Sequence, residues 1–248
     1  MPTPAEVDPH AMMSASHGSP LQALTDTQRD QLRAYEQHMV RLNQKLNLIS
    51  PHTESEAWTV HIQHSLSLLH RSFPEGSVVV DWGTGGGLPA IPLAIACPHI
   101  TVHAIDSVGK KVRAVRTMTR RLGIDNCFPW HGRADQWPGT AHYSVSRATA
   151  SLKTLWHWHQ RVAAPTAPAR SPDDWSTGLL CLKGGDLDAE LQRLYAASSA
   201  IWVDQYPLGA LFEADYFSSE KKLIGVFSND ERLQEERVQD HEETYVAS

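Results

Sequence analysis

The chain has 248 residues, of which 41% are hydrophobic and 20% charged, enough for one large soluble core. No run of about 18 apolar residues occurs, which argues against a membrane-spanning helix, and the N-terminus lacks the basic start and apolar stretch of a secretory signal. The formal charge of −6, taken as a sum, opposes a nucleic-acid partner, yet it sits in the ends: residues 229–248 hold seven acids and two arginines, residues 1–20 hold two acids and no base, and the remainder carries 20 basic and 19 acidic residues.

Residues 1–21 are rich in Pro, Ser, His and Ala without periodicity and read as a disordered tail. Thr25-Asp26-Thr27-Gln28 is a capping box, and Leu32, Tyr35, Met39, Leu42 and Leu46 fall on one helical face. This helix is predicted to end near Asn47, with Pro51 preventing its continuation. A second capping box, Thr53-Glu54-Ser55-Glu56, precedes a stripe of Trp58, Ile62, Leu66 and Leu69. Two helices are too few for a core of their own. Residues 22–76 are therefore expected to form a helical extension packed on the main domain, roofing its ligand crevice.

Val78-Val79-Val80 begins a short buried strand that ends in Asp81-Trp82 and a glycine cluster. From there to residue 228 strand and helix patterns alternate. Strands are predicted at 78–81, 101–105, 127–131, 142–146, 178–183, 199–205 and 222–227, and helices near 90–97, 109–122, 151–163 and 186–197. That alternation predicts an α/β domain with a mostly parallel seven-stranded sheet flanked by helices. Such sheets bind ligands outside the carboxyl ends of their strands, where Asp81, Asp106, Asp135, Arg147 and Lys183 fall.

Between residues 107 and 124, Lys110, Lys111, Arg113, Arg116, Arg120 and Arg121 occur with no acid among them. Such a face is either simply solvated or tracks phosphates. Residues 164–177, with three prolines, read as a surface loop, and the acidic stretch 229–248 as a solvating tail. Trp156 and Trp158 read as packing residues. Cys97, Cys127 and Cys181 form no disulfide framework and suit a reducing cytoplasm. Neither His61 with His64 nor His157 with His159 joins a set of ligands with metal spacing, so no metal is expected.

The glycine cluster reads Gly83-Thr84-Gly85-Gly86-Gly87-Leu88. Without Cβ atoms, such a loop lets backbone N–H groups approach a small, partly anionic ligand at a helix start. A dinucleotide fingerprint would need glycine where Leu88 stands, and a Walker loop would need a following lysine. Asp106, at the end of the next apolar run, is spaced to grip a ribose diol, while Asp81 would welcome an ammonium or sulfonium and repel a pyrophosphate. S-Adenosyl-L-methionine fits both acids.

The run Asp81-Trp82-Gly83-Thr84-Gly85-Gly86-Gly87-Leu88-Pro89-Ala90-Ile91-Pro92-Leu93-Ala94-Ile95, followed by Asp106-Ser107-Val108-Gly109-Lys110-Lys111-Val112-Arg113, resembles the bacterial small-subunit rRNA guanine-N7 methyltransferase family (RsmG, formerly GidB). The resemblance implies a class I (Rossmann-like) methyltransferase domain over residues 77–228, S-adenosyl-L-methionine as methyl donor, and 16S rRNA or the small ribosomal subunit as partner, with a monomeric chain. It implies that Asp81, Gly83, Gly85, Leu88 and Asp106 hold the cofactor, with Ala134 and Asp135 matching the Ala-Glu pair that holds adenine. Arg147, in Ser146-Arg147-Ala148, would lie beside cofactor and substrate. Arg147, Asn47 and Lys183 are the implied catalytic residues. Asn43, His61, Lys110, Lys111 and Arg113 are the implied RNA contacts.

The departures lie in the helical roof, where Leu42 replaces Trp, Val60 replaces Arg and His64 replaces Asp. Near the C-terminus, Glu220-Lys221-Lys222-Leu223 departs from Gly-x-Arg-x-Leu. Guanine N7 carries a lone pair and no proton, so its methylation needs no general base. Three other readings stay open: a related enzyme with another methyl acceptor, a cofactor-binding RNA or assembly factor without turnover, and an NAD-dependent oxidoreductase, which Leu88 and Asp81 disfavour.

Overall fold

The computed structural model describes residues 19–229 except 148, 213 and 219. The tail expected at 1–21 lies outside the described residues but for its last three positions, and the acidic tail at 229–248 but for its first.

The strands are β1 (Val78–Trp82), β2 (Thr101–Asp106), β3 (Cys127–His131), β4 (Tyr143–Arg147), β5 (Gly178–Gly184), β6 (Ile201–Pro207) and β7 (Lys221–Ser228). They make one sheet in the order β3-β2-β1-β4-β5-β7-β6, parallel except where β7 pairs with β5 and β6. This is the α/β architecture expected from the alternation of patterns. The apolar strands β1 and β5 are interior to the sheet, as burial on both faces requires. Pro129 and Pro207 sit in β3 and β6, the two edge strands, where a missing N–H breaks no ladder. Strand β6 begins two residues later than predicted because its register is fixed by pairing Trp202 with Phe227 and Val203 with Val226.

The period of two along each strand divides the core. Val79, Val102, Val145, Leu180 and Leu182 face a cluster built with the helices α1 (Asp26–Leu46), α3 (Ala90–Ala96) and α4 (Gly109–Arg121). Val80, Leu179, Cys181, Ile224 and Val226 face α5 (Leu152–Val162) and α6 (Asp188–Ala197). The result is three layers, helix on sheet on helix.

Helix α1 starts with the predicted capping box: Gln28 N donates to Thr25 Oγ1, and Thr25 N donates to Gln28 Oε1. The Gln28 amide also donates to the Ile95 and Ala96 carbonyls, and Gln31 to the Leu122 carbonyl, so α1 caps the C-terminal ends of α3 and α4. Leu32, Tyr35 and Met39 are fully buried beneath it. Asn47 then ends the helix with a left-handed backbone, φ 50°.

The second predicted helix does not form as one. Pro51–Thr53 is a 3-10 turn, Trp58–Gln63 winds as a π-helix, α2 (His64–Leu66) is a single α turn, and Ser67–His70 tightens again to 3-10. Thr53 caps no helix: its hydroxyl donates to the Ser50 carbonyl and is bonded to His61 Nε2, and Glu54 accepts from the Asn43 amide. Ser65 and Ser67 bond back to the carbonyls of His61 and His64, in competition with regular helical bonding. The wide turn buries three consecutive side chains, Val60, His61 and Ile62, which a one-faced helix does not.

The loop at 164–177 is pinned at its far end. Trp175 is buried and donates to the Leu68 carbonyl, while its own carbonyl accepts from the Tyr143 hydroxyl. Among the described residues, no helix is long and apolar enough to cross a membrane.

Because Leu32 packs in the same cluster as the sheet, Leu32→Ala is expected to lower the unfolding free energy by about 2–5 kcal/mol. Urea unfolding followed by fluorescence and circular dichroism should show one shifted transition. Two separate transitions would mean that α1 and the sheet do not share a core.

Candidate functional site

The crevice opens where the chain reverses its order across the sheet, at the carboxyl ends of β1, β2 and β4. Strand β1 runs into the glycine loop, whose Gly83 has φ 73° and whose added Cβ would lie 2.2 Å from Thr149 Cγ2. Only glycine meets both demands. The N–H groups of Gly83 and Thr84 both donate to the Ile105 carbonyl at 2.9 Å, which fastens the loop to β2.

Asp106 completes that fastening. Its Oδ2 accepts from Gly85 N at 2.9 Å and its Oδ1 from Val108 N at 2.8 Å, so one carboxylate bridges the loops after β1 and β2. From above, the buried Tyr35 hydroxyl donates to the Gly86 carbonyl at 2.9 Å. Asn43 takes the N–H groups of Leu48 and Ile49 on its side-chain oxygen, which holds Leu48 as the roof over Gly86.

These parts enclose a cavity of about 450 Å³, within the range of small-ligand sites. Its floor is Gly83, Thr84, Gly85, Gly86 and Leu88. One side is Ile105, Asp106, Ser107 and Lys111, the next is Gly132, Arg133, Ala134 and Asp135, and the last is Arg147, Thr149 and Trp158. Asp135 is exposed, and Arg133 grips both its oxygens, which holds its carboxyl below the ordinary carboxylate range. Arg161 of α5 supports the same turn by donating to the Ala134 and Trp137 carbonyls.

Arg147 closes the fourth side. Its Nη1 donates to His61 Nδ1 at 2.7 Å and to the Val60 carbonyl at 3.3 Å. Burial, with the Arg147 charge adding to it, pushes His61 down to about 3, and burial likewise pushes His64 to about 3. Both imidazoles are therefore neutral near pH 7. Among the described residues no carboxylate forms an ion pair with Arg147.

The structure thus brings Gly83, Gly85, Leu88, Asp106, Lys111, Ala134, Asp135 and Arg147 into the lining of one cavity. It locates the other expected site residues elsewhere. Asp81 is fully buried, and its Oδ2 accepts from Ala90 N, the first free N–H of α3. Asn47 is the exposed cap of α1. Lys183 donates to the Ala150 carbonyl and pairs with Glu190, which also accepts from Leu152 N, so it latches the segment after β4 to α6. Asn43 and His61 are buried behind the wall. Lys110 and Arg113 are exposed along α4.

Sequence reasoning did not single out Tyr35, Thr149, Arg133 or Trp158 for the site. Tyr35 had a usable signal, since a tyrosine within an apolar helical stripe needs a partner for its hydroxyl. Trp158 packs on Trp82 at 5.9 Å, as a packing residue should, and also lines the cavity.

The family model for rRNA small subunit methyltransferase G matches residues 28–198. A protein of that name from Salinibacter ruber is 54% identical over 215 residues, covering 85% of this chain and 97% of the relative. Another from Cytophaga hutchinsonii is 36% identical over 185 residues, covering 74% and 84%. Among solved structures, a SAM dependent methyltransferase from Aquifex aeolicus shares the fold with a TM-score of 0.51 at 16% identity, over 72% of this chain and 97% of that one.

Burial pushes the Asp81 carboxyl up to about 8, against the opposing pull of the Ala90 N–H and the Arg147 charge. A carboxyl whose folded value is raised holds its proton more tightly in the folded state. Its effect is therefore a loss of stability as pH rises from about 4 to about 8, level above that. Asp81→Asn removes this slope. Urea unfolding at pH 5, 6.5 and 8 should show a smaller fall for Asp81→Asn than for the wild type, and parallel curves would contradict the neutral Asp81.

Proposed function

Because the chain belongs to the rRNA small subunit methyltransferase G family, we propose that it transfers a methyl group from S-adenosylmethionine to N7 of a guanine in the 16S rRNA of the small ribosomal subunit. The cavity fits the donor on its own terms. Gly85 leaves room for close approach, since beyond its chain neighbours the nearest atom to the place its Cβ would take is the Leu48 carbonyl oxygen at 3.8 Å. Asp106 has one lone pair on each oxygen engaged by a backbone N–H and another free for a ribose hydroxyl. Ala134 and Asp135 stand at the next wall for the adenine edge, and Arg147 at the far wall presents a cation to a carboxylate. When bound, the cofactor supplies an electrophilic methyl group on a sulfonium.

The observation that carries the choice of acceptor is the state of the groups that could take a proton. Among the described residues lining the cavity, Asp106 holds two backbone N–H groups and Asp135 is gripped by Arg133. Behind the wall, His61 Nδ1 is occupied by Arg147. Each of these described groups already accepts from a donor, which lowers its basicity and disfavours it as a general base. An acceptor that must lose a proton is poorly served, whereas N7 of guanine offers a lone pair and has no proton to lose. What remains for the chain to do is to align donor and acceptor and to exclude water.

The RNA reading draws on charge. Lys110, Arg113, Arg120 and Arg121 are exposed on α4, whose Lys111 reaches the cavity wall, so a basic face leads to the crevice. Burying a paired base would require unstacking at a few kcal/mol, which favours a loop or an assembly intermediate as substrate.

Tritiated-methyl transfer to small ribosomal subunits lacking the endogenous modification, followed by mapping of the modified base, tests this reading. The wild type is expected to make N7-methylguanine at one site, and Asp106→Ala to lower kcat/KM by about 30- to 1,000-fold, the equivalent of about 2–4 kcal/mol. Cofactor binding without transfer would reject the rRNA acceptor.

A further inference from the structure

Arginine can only donate hydrogen bonds, so the 2.7 Å contact from Arg147 Nη1 makes His61 Nδ1 an acceptor. The single proton of a neutral imidazole is then on Nε2, which donates to Thr53 Oγ1 at 2.8 Å. The Thr53 hydroxyl in turn donates to the Ser50 carbonyl at 2.8 Å. Donor and acceptor are thus assigned at every link of a chain that runs from the cavity wall to the turn Pro51–Thr53. We propose that His61 and Thr53 are positioning residues, which lock the imidazole in its Nε2–H form and so hold the Arg147 guanidinium at the ligand cavity. This rests on the reading of the cavity as an S-adenosylmethionine site.

Two further observations favour it. Thr53 begins a sequence that would serve as a capping box, yet its hydroxyl is spent on this chain and no regular helix follows. Arg147 bonds through Nη1 alone among the described residues, to His61 and Val60, which leaves Nη2 and Nε for a ligand. The titratable groups around His61 agree with a neutral ring. Arg147 lies against it from β4, His64 is one turn on, Lys221 faces His64 from β7, and Asp81 acts on Arg147 from β1. A protonated His61 would set N–H against N–H and place two cations in contact.

The test uses the intact chain labelled with 15N-histidine, with the His61 signals assigned by their loss in His61→Asn. His61 is expected to be neutral and protonated on Nε2 from pH 8 down to pH 5. Thr53→Val is expected to weaken S-adenosylhomocysteine binding by about 3–10-fold, the worth of one hydrogen bond, while Thr53→Ser stays within about twofold of the wild type. An Nδ1–H ring, an imidazolium at pH 6, or a folded Thr53→Val binding as tightly as the wild type would overturn the proposal. Should Thr53→Val not fold, the tautomer and the serine variant decide. Absence of S-adenosylhomocysteine binding by the wild type would instead reject the cavity assignment, and the tautomer alone would then uphold or overturn the hydrogen-bond chain.

Discussion

The bridge made by Asp106 is the contact on which the site depends. A glycine-rich loop has little conformational preference of its own, so something outside it must fix its path. Here that is a single carboxylate accepting from Gly85 N and Val108 N, helped by the Ile105 carbonyl, which takes two N–H groups of the same loop. The same side chain that orders the loop lines the cavity, so loop order and cavity shape depend on one residue. Tyr35 and Asn43 extend the arrangement upward. One ties α1 to Gly86, and the other sets Leu48 above it.

Charge in the interior is arranged by contrast. Asp81, one strand away from Asp106, is fully buried, and its carboxyl is pushed up to about 8, so it serves the N-terminus of α3 as a mostly neutral group. Among the described residues Arg147 is held by neutral partners, a histidine and a carbonyl. Arg147 faces the crevice from the β4 side and Asp106 from the β2 side, with Lys111, Arg133 and Asp135 between them in the lining.

The sheet and much of the cavity lining were legible because their signals are local: Val78-Val79-Val80 before glycines, Asp106 closing the second strand, and helical stripes between them. The roof was less legible. The capping box at Thr53 is a sound local signal, but Ser50 and His61 engage the hydroxyl instead. The serines of residues 65 and 67 bent the following turns in a way that a spacing of three and four does not reveal. That Asp81 lies away from the cavity was hidden for a similar reason, since sequence gives the residue type at a strand end but not which way it faces. Lys183 and Asn43 carry donors that the fold uses internally, and nothing in their spacing separates that from contact with a ligand.

The claim at the centre is that the Asp106-bridged loop is built for an adenosyl sulfonium ligand and not for a dinucleotide. Calorimetric titration of the intact chain with S-adenosylhomocysteine and, separately, with NAD tests it most directly. The account predicts that S-adenosylhomocysteine binds one site at least about tenfold more tightly than NAD, a difference of about 1.4 kcal/mol or more. NAD binding as tightly or more tightly would contradict it.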